Sequence, residues 1–135
     1  MLARHTGTIV DITSMVALAP MPEMTWYSAS KAGLAAASEA LHGELRGTGV
    51  HRVTVYPGIL ATEMADAATG KYESSAIPRV QPVSTAEQLA KAIRTAIEKK
   101  EERLIYPRFN IVARWLHAQK RWVMDRFTPA FRKTP

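Results

Sequence analysis

A chain of 135 residues with a hydrophobic fraction of 47% predicts one small globular domain with its own core and excludes a disordered chain. The sequence contains no cysteine, so disulfides, thiolate catalysis and zinc–thiolate sites are excluded, and we predict no metal site. Residues 101–135 carry eight Lys and Arg against three Asp and Glu, so most of the net charge of +6 belongs to the tail. No nucleic-acid reader motif accompanies that charge, and we predict no nucleic-acid partner.

The first predicted element is a strand over the run Thr8-Ile-Val-Asp-Ile12, which is rich in β-branched residues and reads as a buried parallel strand. Ligand sites in parallel α/β sheets lie at the carboxyl ends of the strands, and Ser14 follows the strand at that end. A serine there is more often a turn residue or a helix cap. Thr13 is a weaker candidate for the same position.

The segment 15–26 holds two prolines, three methionines and a tryptophan, which predicts an irregular loop. Its apolar side chains either form a wall that receives a substrate or pack within the loop, and both interpretations stay open.

Tyr27 and Lys31 are four residues apart in a predicted helix over residues 26–46, so their side chains share one helix face. Alanine favours this helix, and Gly47 and Gly49 end it. A free phenol has a pKa of about 10 and is a poor acid–base at neutral pH, but a nearby ammonium favours the phenolate. The pair therefore suits general acid–base catalysis, although a short Tyr-x-x-x-Lys match also arises by chance.

A second strand is predicted over Val50–Tyr56, and Pro57-Gly58 turns the chain out of it. Residues 64–82 have mixed polarity and suit either a mobile lid or an inert surface loop. The pattern Ser84-Thr-Ala-Glu87 predicts a capping box at the start of the next helix. The predicted buried face of that helix consists of Leu89, Ile93, Ala96 and Ile97. A last short strand is predicted over Arg103–Tyr106.

The tail over residues 109–128 is predicted to be a basic amphipathic helix with two tryptophans. It either packs on its own core or on a partner subunit, which is the favoured interpretation, or makes a weak membrane-surface contact. No apolar run suits a membrane-spanning helix, and the first residues lack the apolar core of a signal peptide. These features predict a cytoplasmic protein, with peripheral membrane attachment as the alternative.

Four features occur in an order and spacing that resemble the classical branch of the short-chain dehydrogenase/reductase family. They are Ser14, the helix Tyr27-Ser-Ala-Ser-Lys31, the turn Pro57-Gly58, and Thr62. The resemblance covers residues 4–106. It implies an α/β fold, namely the C-terminal half of a Rossmann-type doubly wound parallel sheet with three strands and flanking helices. Residues 1–108 would then form the catalytic half of an NAD(P)-binding domain, and residues 109–135 a separate helix and tail.

The resemblance also implies an oxidoreductase that transfers a hydride between a nicotinamide and an alcohol or carbonyl substrate, with NAD or NADP as cofactor. Tyr27 would move the proton, Lys31 would favour the phenolate and hold the nicotinamide ribose, and Ser14 would polarise the carbonyl. The implied cofactor contacts are Tyr27, Lys31, Pro57, Gly58, the backbone of Leu60 and the side chain of Thr62. A homodimer or homotetramer is implied by the resemblance alone.

The glycine-rich phosphate turn and the Asn-Ala-Gly stretch of the family have no counterpart in these residues. We therefore expect the chain to correspond to the C-terminal half of a longer protein, and to be inactive by itself. Without the other half, its first strand would lose a neighbour and become an exposed, apolar edge. A truncated, non-catalytic remnant or interaction module is the alternative function.

Overall fold

The computed structural model describes residues 1–21, 24–61 and 83–108. Within these residues three strands and two α-helices alternate, with short 3₁₀ helices at Leu2–Arg4 and Met15–Ala17. The main elements are β1 (Gly7–Ile12), α1 (Thr25–Glu44), β2 (Val50–Pro57), α2 (Ala86–Glu98) and β3 (Arg103–Tyr106). The strands are parallel and lie in the order β1-β2-β3. The predicted α/β fold, a parallel three-stranded sheet with flanking helices, is confirmed.

Strand β2 is the centre of the sheet, and its alternating side chains separate the two helices. Val53 and Val55 are fully buried in a cluster with Leu89 and Ala96 of α2. Tyr56 points to the other face, where it packs with Ala35 of α1. The helices therefore cover opposite faces of the sheet, as in a doubly wound fold.

Strand β1 is only partly buried. Its β-branched run predicted a buried strand, but an exposed edge was expected for this chain, and its residues are half-buried with Ile12 48% exposed. The reason is its position, because β1 pairs on one side with β2 and forms an edge of the sheet within the described residues.

The start of α2 differs from the prediction by one residue. Thr85, and not Ser84, is the N-cap: its hydroxyl accepts a bond from the N–H of Gln88 at 3.3 Å, and the Gln88 side chain accepts one from the N–H of Thr85 at 3.0 Å. Ser84 is buried and its backbone pairs instead with residues 59–61. Glu87 lies in the first turn of the helix, where its own backbone N–H and the Thr85 side chain lower the pKa of its carboxyl.

Three predicted features lie outside the described residues: Thr62, the segment 64–82 and the tail 109–135. Within residues 1–21, 24–61 and 83–108, no helix has the length and apolar character needed to cross a membrane.

Candidate active site

Thr13 and Ser14, at the carboxyl end of β1, have different roles in the structure. Thr13 is 2% exposed, and both its hydroxyl and its backbone N–H donate to the carbonyl of Val55, at 2.7 and 2.8 Å. Ser14 is only partly buried, and its Oγ accepts a bond from the N–H of Val16 at 3.3 Å, capping the 3₁₀ helix. A hydroxyl that accepts one bond still has a proton to donate. Thr13 is therefore a structural residue, whereas Ser14 combines the cap with an available O–H.

Lys31 reaches from α1 to the end of β1. Its Nζ donates to the carbonyl of Ile12 at 3.2 Å and lies 5.8 Å from the centroid of the Tyr27 ring. Tyr27 is 39% exposed, so its phenol is accessible to a ligand. Because Ser14 follows Ile12 by two residues, the three predicted catalytic side chains belong to the same edge of the sheet.

The direction of Lys31 follows from the buried face of α1. The buried residues of this helix are Ser28, Ala35 and Ser38, and Lys31 follows Ser28 by three positions and precedes Ala35 by four. Such spacing places Lys31 on the inward stripe of the helix, where it is partly buried. Tyr27 lies one turn earlier, at the end of the helix that meets the carboxyl edge of the sheet.

The turn after β2 is formed by Pro57 and Gly58 and leads to Leu60. Gly58 donates its N–H to the carbonyl of Tyr106 at 2.7 Å, and Pro57 is buried beside it, so both shape the turn. Leu60 forms a parallel bridge with Ser84 in which the bonds come from its neighbours at positions 59 and 61. The N–H and C=O of Leu60 itself have no partner among the described residues. Within residues 1–21, 24–61 and 83–108, Leu60 thus has one donor and one acceptor without a backbone partner, which is the pattern that a primary amide pairs with.

A recess of about 330 Å³ lies between the loop after β1 and the first turns of α1. Its lining is mostly apolar and consists of Pro20, Met21, Thr25, Ser28, Ala29 and Ala32. Of the loop residues from which an apolar wall was predicted, Pro20 and Met21 line this recess, whereas Met15 is buried in the core and Trp26 is 87% exposed.

A buried polar cluster that was not predicted lies between α1 and the sheet. It joins Ser38 to Asp11, Arg52 and Thr54. The signal in the sequence was Arg52, since it alternates with Thr54 and Tyr56 and therefore faces α1.

The chain is similar to known short-chain dehydrogenases. The family model described as short chain dehydrogenase matches residues 1–73. The chain is 34% identical over 107 residues to the ketoacyl reductase HetN of Nostoc sp., which covers 78% of the chain and 35% of that protein. It is 30% identical over 95 residues to the 3-oxoacyl-[acyl-carrier-protein] reductase FabG of Haemophilus influenzae, covering 69% of the chain and 39% of that protein.

Among solved structures, a short-chain dehydrogenase from Sphingobium yanoikuyae in complex with NADPH superposes with a TM-score of 0.65 at 26% identity. The match covers 99% of this chain and 49% of the Sphingobium chain. A parallel sheet with helices on both faces is the Rossmann-type fold of these relatives, and in this chain Tyr27 and Lys31 lie at the carboxyl edge of the sheet. The chain belongs to the short-chain dehydrogenase family, and it spans about half the length of this structural relative.

Proposed function

We propose that residues 1–135 supply the catalytic groups of an NAD(P)-dependent oxidoreductase that acts on an alcohol or a ketone. The observation that carries this proposal is the contact of Lys31 with both the Ile12 carbonyl and the Tyr27 ring. Ile12 precedes Ser14 by two residues in the sequence. An ammonium, an accessible phenol and a free hydroxyl are the groups needed to move a proton to or from a substrate oxygen.

The residues at this edge fit a nicotinamide dinucleotide. The N–H and C=O of Leu60, which have no backbone partner among the described residues, match a carboxamide, and the Lys31 ammonium can donate to ribose hydroxyls. Pro57 and Gly58 would hold the turn against it, and Thr62 remains a predicted contact. When bound, NAD or NADP supplies the hydride acceptor or donor. NAD and NADP are equally compatible with the proposal.

The chain's own side chains then have separate tasks. In the direction of reduction, the Tyr27 hydroxyl gives its proton to the substrate oxygen, and in oxidation the phenolate takes it back. Lys31 places a positive charge beside the phenol, with its Nζ 5.8 Å from the centroid of the Tyr27 ring. The Ser14 hydroxyl donates a hydrogen bond to the same substrate oxygen, where negative charge develops.

The substrate is proposed to be a carbonyl compound with an apolar body. Both curated relatives named above are reductases of oxoacyl groups. The recess beside α1 is lined mainly by apolar side chains, which suits an alkyl or acyl chain. A homodimer or homotetramer remains a prediction from the family resemblance.

The test uses a hybrid in which residues 1–135 replace the matching half of the Sphingobium enzyme. NADPH oxidation is measured with 3-oxoacyl esters and simple ketones. Tyr27→Phe should lower kcat by about 10²- to 10⁴-fold, because the proton carrier is lost, while NADPH binding is retained. Tyr106→Phe is the matched control, since it removes a phenol from β3 with no bond from its hydroxyl among the described residues. Lys31→Ala should weaken both NADPH binding and turnover.

Turnover by the Tyr27→Phe hybrid at the level of Tyr106→Phe would refute the catalytic assignment. A hybrid that folds and binds NADPH but turns over no carbonyl compound would favour the alternative, a non-catalytic remnant.

A further inference from the structure

A buried polar network joins α1 to both neighbouring strands. The Ser38 hydroxyl donates to the Asp11 carboxylate at 2.6 Å, and its oxygen lies 2.9 Å from the Thr54 hydroxyl oxygen. Arg52 donates from Nη1 to both hydroxyl oxygens. We call these four residues the Ser38 network. Ser38, Arg52 and Thr54 are each at most 4% exposed, so the network is part of the interior.

The Arg52 guanidinium needs a negative charge, because a buried cation without one is strongly destabilising. It lines a cavity of about 400 Å³ that also contains two carboxylates, but both are engaged elsewhere. Glu39 pairs with Arg103, and Glu102 lies 3.4 Å from His42. The remaining carboxylate is Asp11, which Arg52 reaches through the Ser38 hydroxyl. Ser38 is therefore the bridge of a hydroxyl-mediated ion pair.

This bridge lies on the same face of α1 as the candidate catalytic lysine. Ser38 follows Lys31 by seven residues, which is two helical turns or about 10 Å along the axis. Lys31 binds the carbonyl of Ile12, and Ser38 binds the side chain of the preceding residue, Asp11. Among the described residues, the side chains of α1 thus hold β1 through two polar contacts, and the buried one is made by Ser38.

We propose that Ser38 and Asp11 are positioning residues for Lys31. Their hydrogen bond fixes the rotation and the axial position of α1 on β1, so that the Lys31 ammonium meets the Ile12 carbonyl beside Tyr27. Only the consequence for turnover rests on the proposed function. The placement of Lys31 can be measured in the chain itself.

The experiment is brief acylation of the 135-residue chain with an N-hydroxysuccinimide ester, with each lysine quantified by peptide mass spectrometry. In Ser38→Ala and Asp11→Ala, Lys31 should react about threefold faster or more, because its ammonium loses the hydrogen bond to the Ile12 carbonyl. Asp11→Asn keeps an acceptor and should give a smaller increase. Lys91 and Lys99, which are exposed on or beside α2, should not change.

The matched control is Ser28→Ala, which removes a buried hydroxyl from the same helix. The Ser28 hydroxyl has no hydrogen-bond partner among the described residues, so its loss should leave Lys31 unchanged. In the hybrid enzyme, Ser38→Ala should lower kcat by about tenfold with little change in KM, because small misplacements of catalytic groups reduce the rate of chemistry.

Unchanged Lys31 acylation in folded Ser38→Ala and Asp11→Ala would overturn the proposal, as would an equal increase in Ser28→Ala. If Ser38→Ala unfolds, all lysines react faster together, and the comparison of Asp11→Asn with Ser28→Ala decides in its place. Failure of the proposed function is distinct, because it appears as full turnover in Tyr27→Phe whatever the reactivity of Lys31.

Discussion

Thr13 and Ser14 are adjacent hydroxyl residues, and the structure predicts opposite results when each hydroxyl is removed. Thr13→Val preserves the shape of a side chain that is 2% exposed and removes its 2.7 Å bond to the Val55 carbonyl. That carbonyl keeps the 2.8 Å bond from the Thr13 backbone N–H, so it is not left without a partner. The expected cost is therefore about 1 kcal/mol of the free energy of unfolding, the net value of one hydrogen bond.

Ser14→Ala should have the reverse effect. The lost cap belongs to a 3₁₀ helix of three residues, so the cost should be about 0.5 kcal/mol, the low end for caps. In the hybrid enzyme, however, turnover should fall by about 10²-fold, because a donor to the developing oxyanion is removed. Thr13→Val should retain turnover, since its hydroxyl faces the interior of the sheet.

Two measurements check this pair of outcomes: urea unfolding of the chain followed by circular dichroism, and NADPH oxidation by the hybrid. A loss of turnover in Thr13→Val together with retained turnover in Ser14→Ala would show that the two hydroxyls have been assigned the wrong way round. Equal losses of stability and of turnover in both variants would also contradict the reasoning.

Two further predictions concern stability. Burial raises the pKa of Tyr56 above its usual value of about 10. The unfolded chain therefore loses this proton first, and the free energy of unfolding should fall as the pH rises from 10 towards the raised pKa. In Tyr56→Phe the urea midpoint should decline less over that range, and an equal decline would show that Tyr56 is not the group responsible. Thr85→Ala breaks the reciprocal cap with Gln88 and should lower the stability of the first turn of α2 by about 1 kcal/mol, as measured by hydrogen exchange. A larger loss in Ser84→Ala than in Thr85→Ala would show that Ser84 is the N-cap, as predicted from the sequence.

Most of the fold could be predicted because local signals agree with the tertiary structure. The predicted strand Arg103–Tyr106 has the observed bounds, and β2 extends the predicted strand by one residue, to Pro57. The predicted helix 26–46 corresponds to Thr25–Glu44. β-branched runs, alanine content and glycine breakers determine these bounds within one or two residues.

The start of α2 could not be predicted correctly from local rules, since two overlapping capping boxes exist in the sequence. Ser84 with Glu87, and Thr85 with Gln88, both have the required spacing. What decides between them is the pairing of Ser84 with Leu60, a contact between segments that are distant in sequence.

In the candidate site, too, local spacing predicts some features, whereas others depend on how the strands pair. Helical spacing alone places Tyr27 and Lys31 on one face, and the structure keeps them within reach of each other. The Ser38 network, by contrast, requires the register in which Asp11 pairs with Thr54. A sequence pattern gives the alternation of side chains along each strand, but not which residues of two strands are opposite.

The position of Tyr27 depends on contacts further along its helix. The N-cap of α1 is Met24, whose side chain makes no capping hydrogen bond, so local capping contributes little to fixing the first turn. Tyr27 lies in that turn and is 39% exposed, which gives it few contacts of its own. Its location is therefore set by the inward stripe of α1, where Lys31 and Ser38 bind consecutive residues of β1. A helix that is held from its interior can present an accessible phenol at an open edge without burying it.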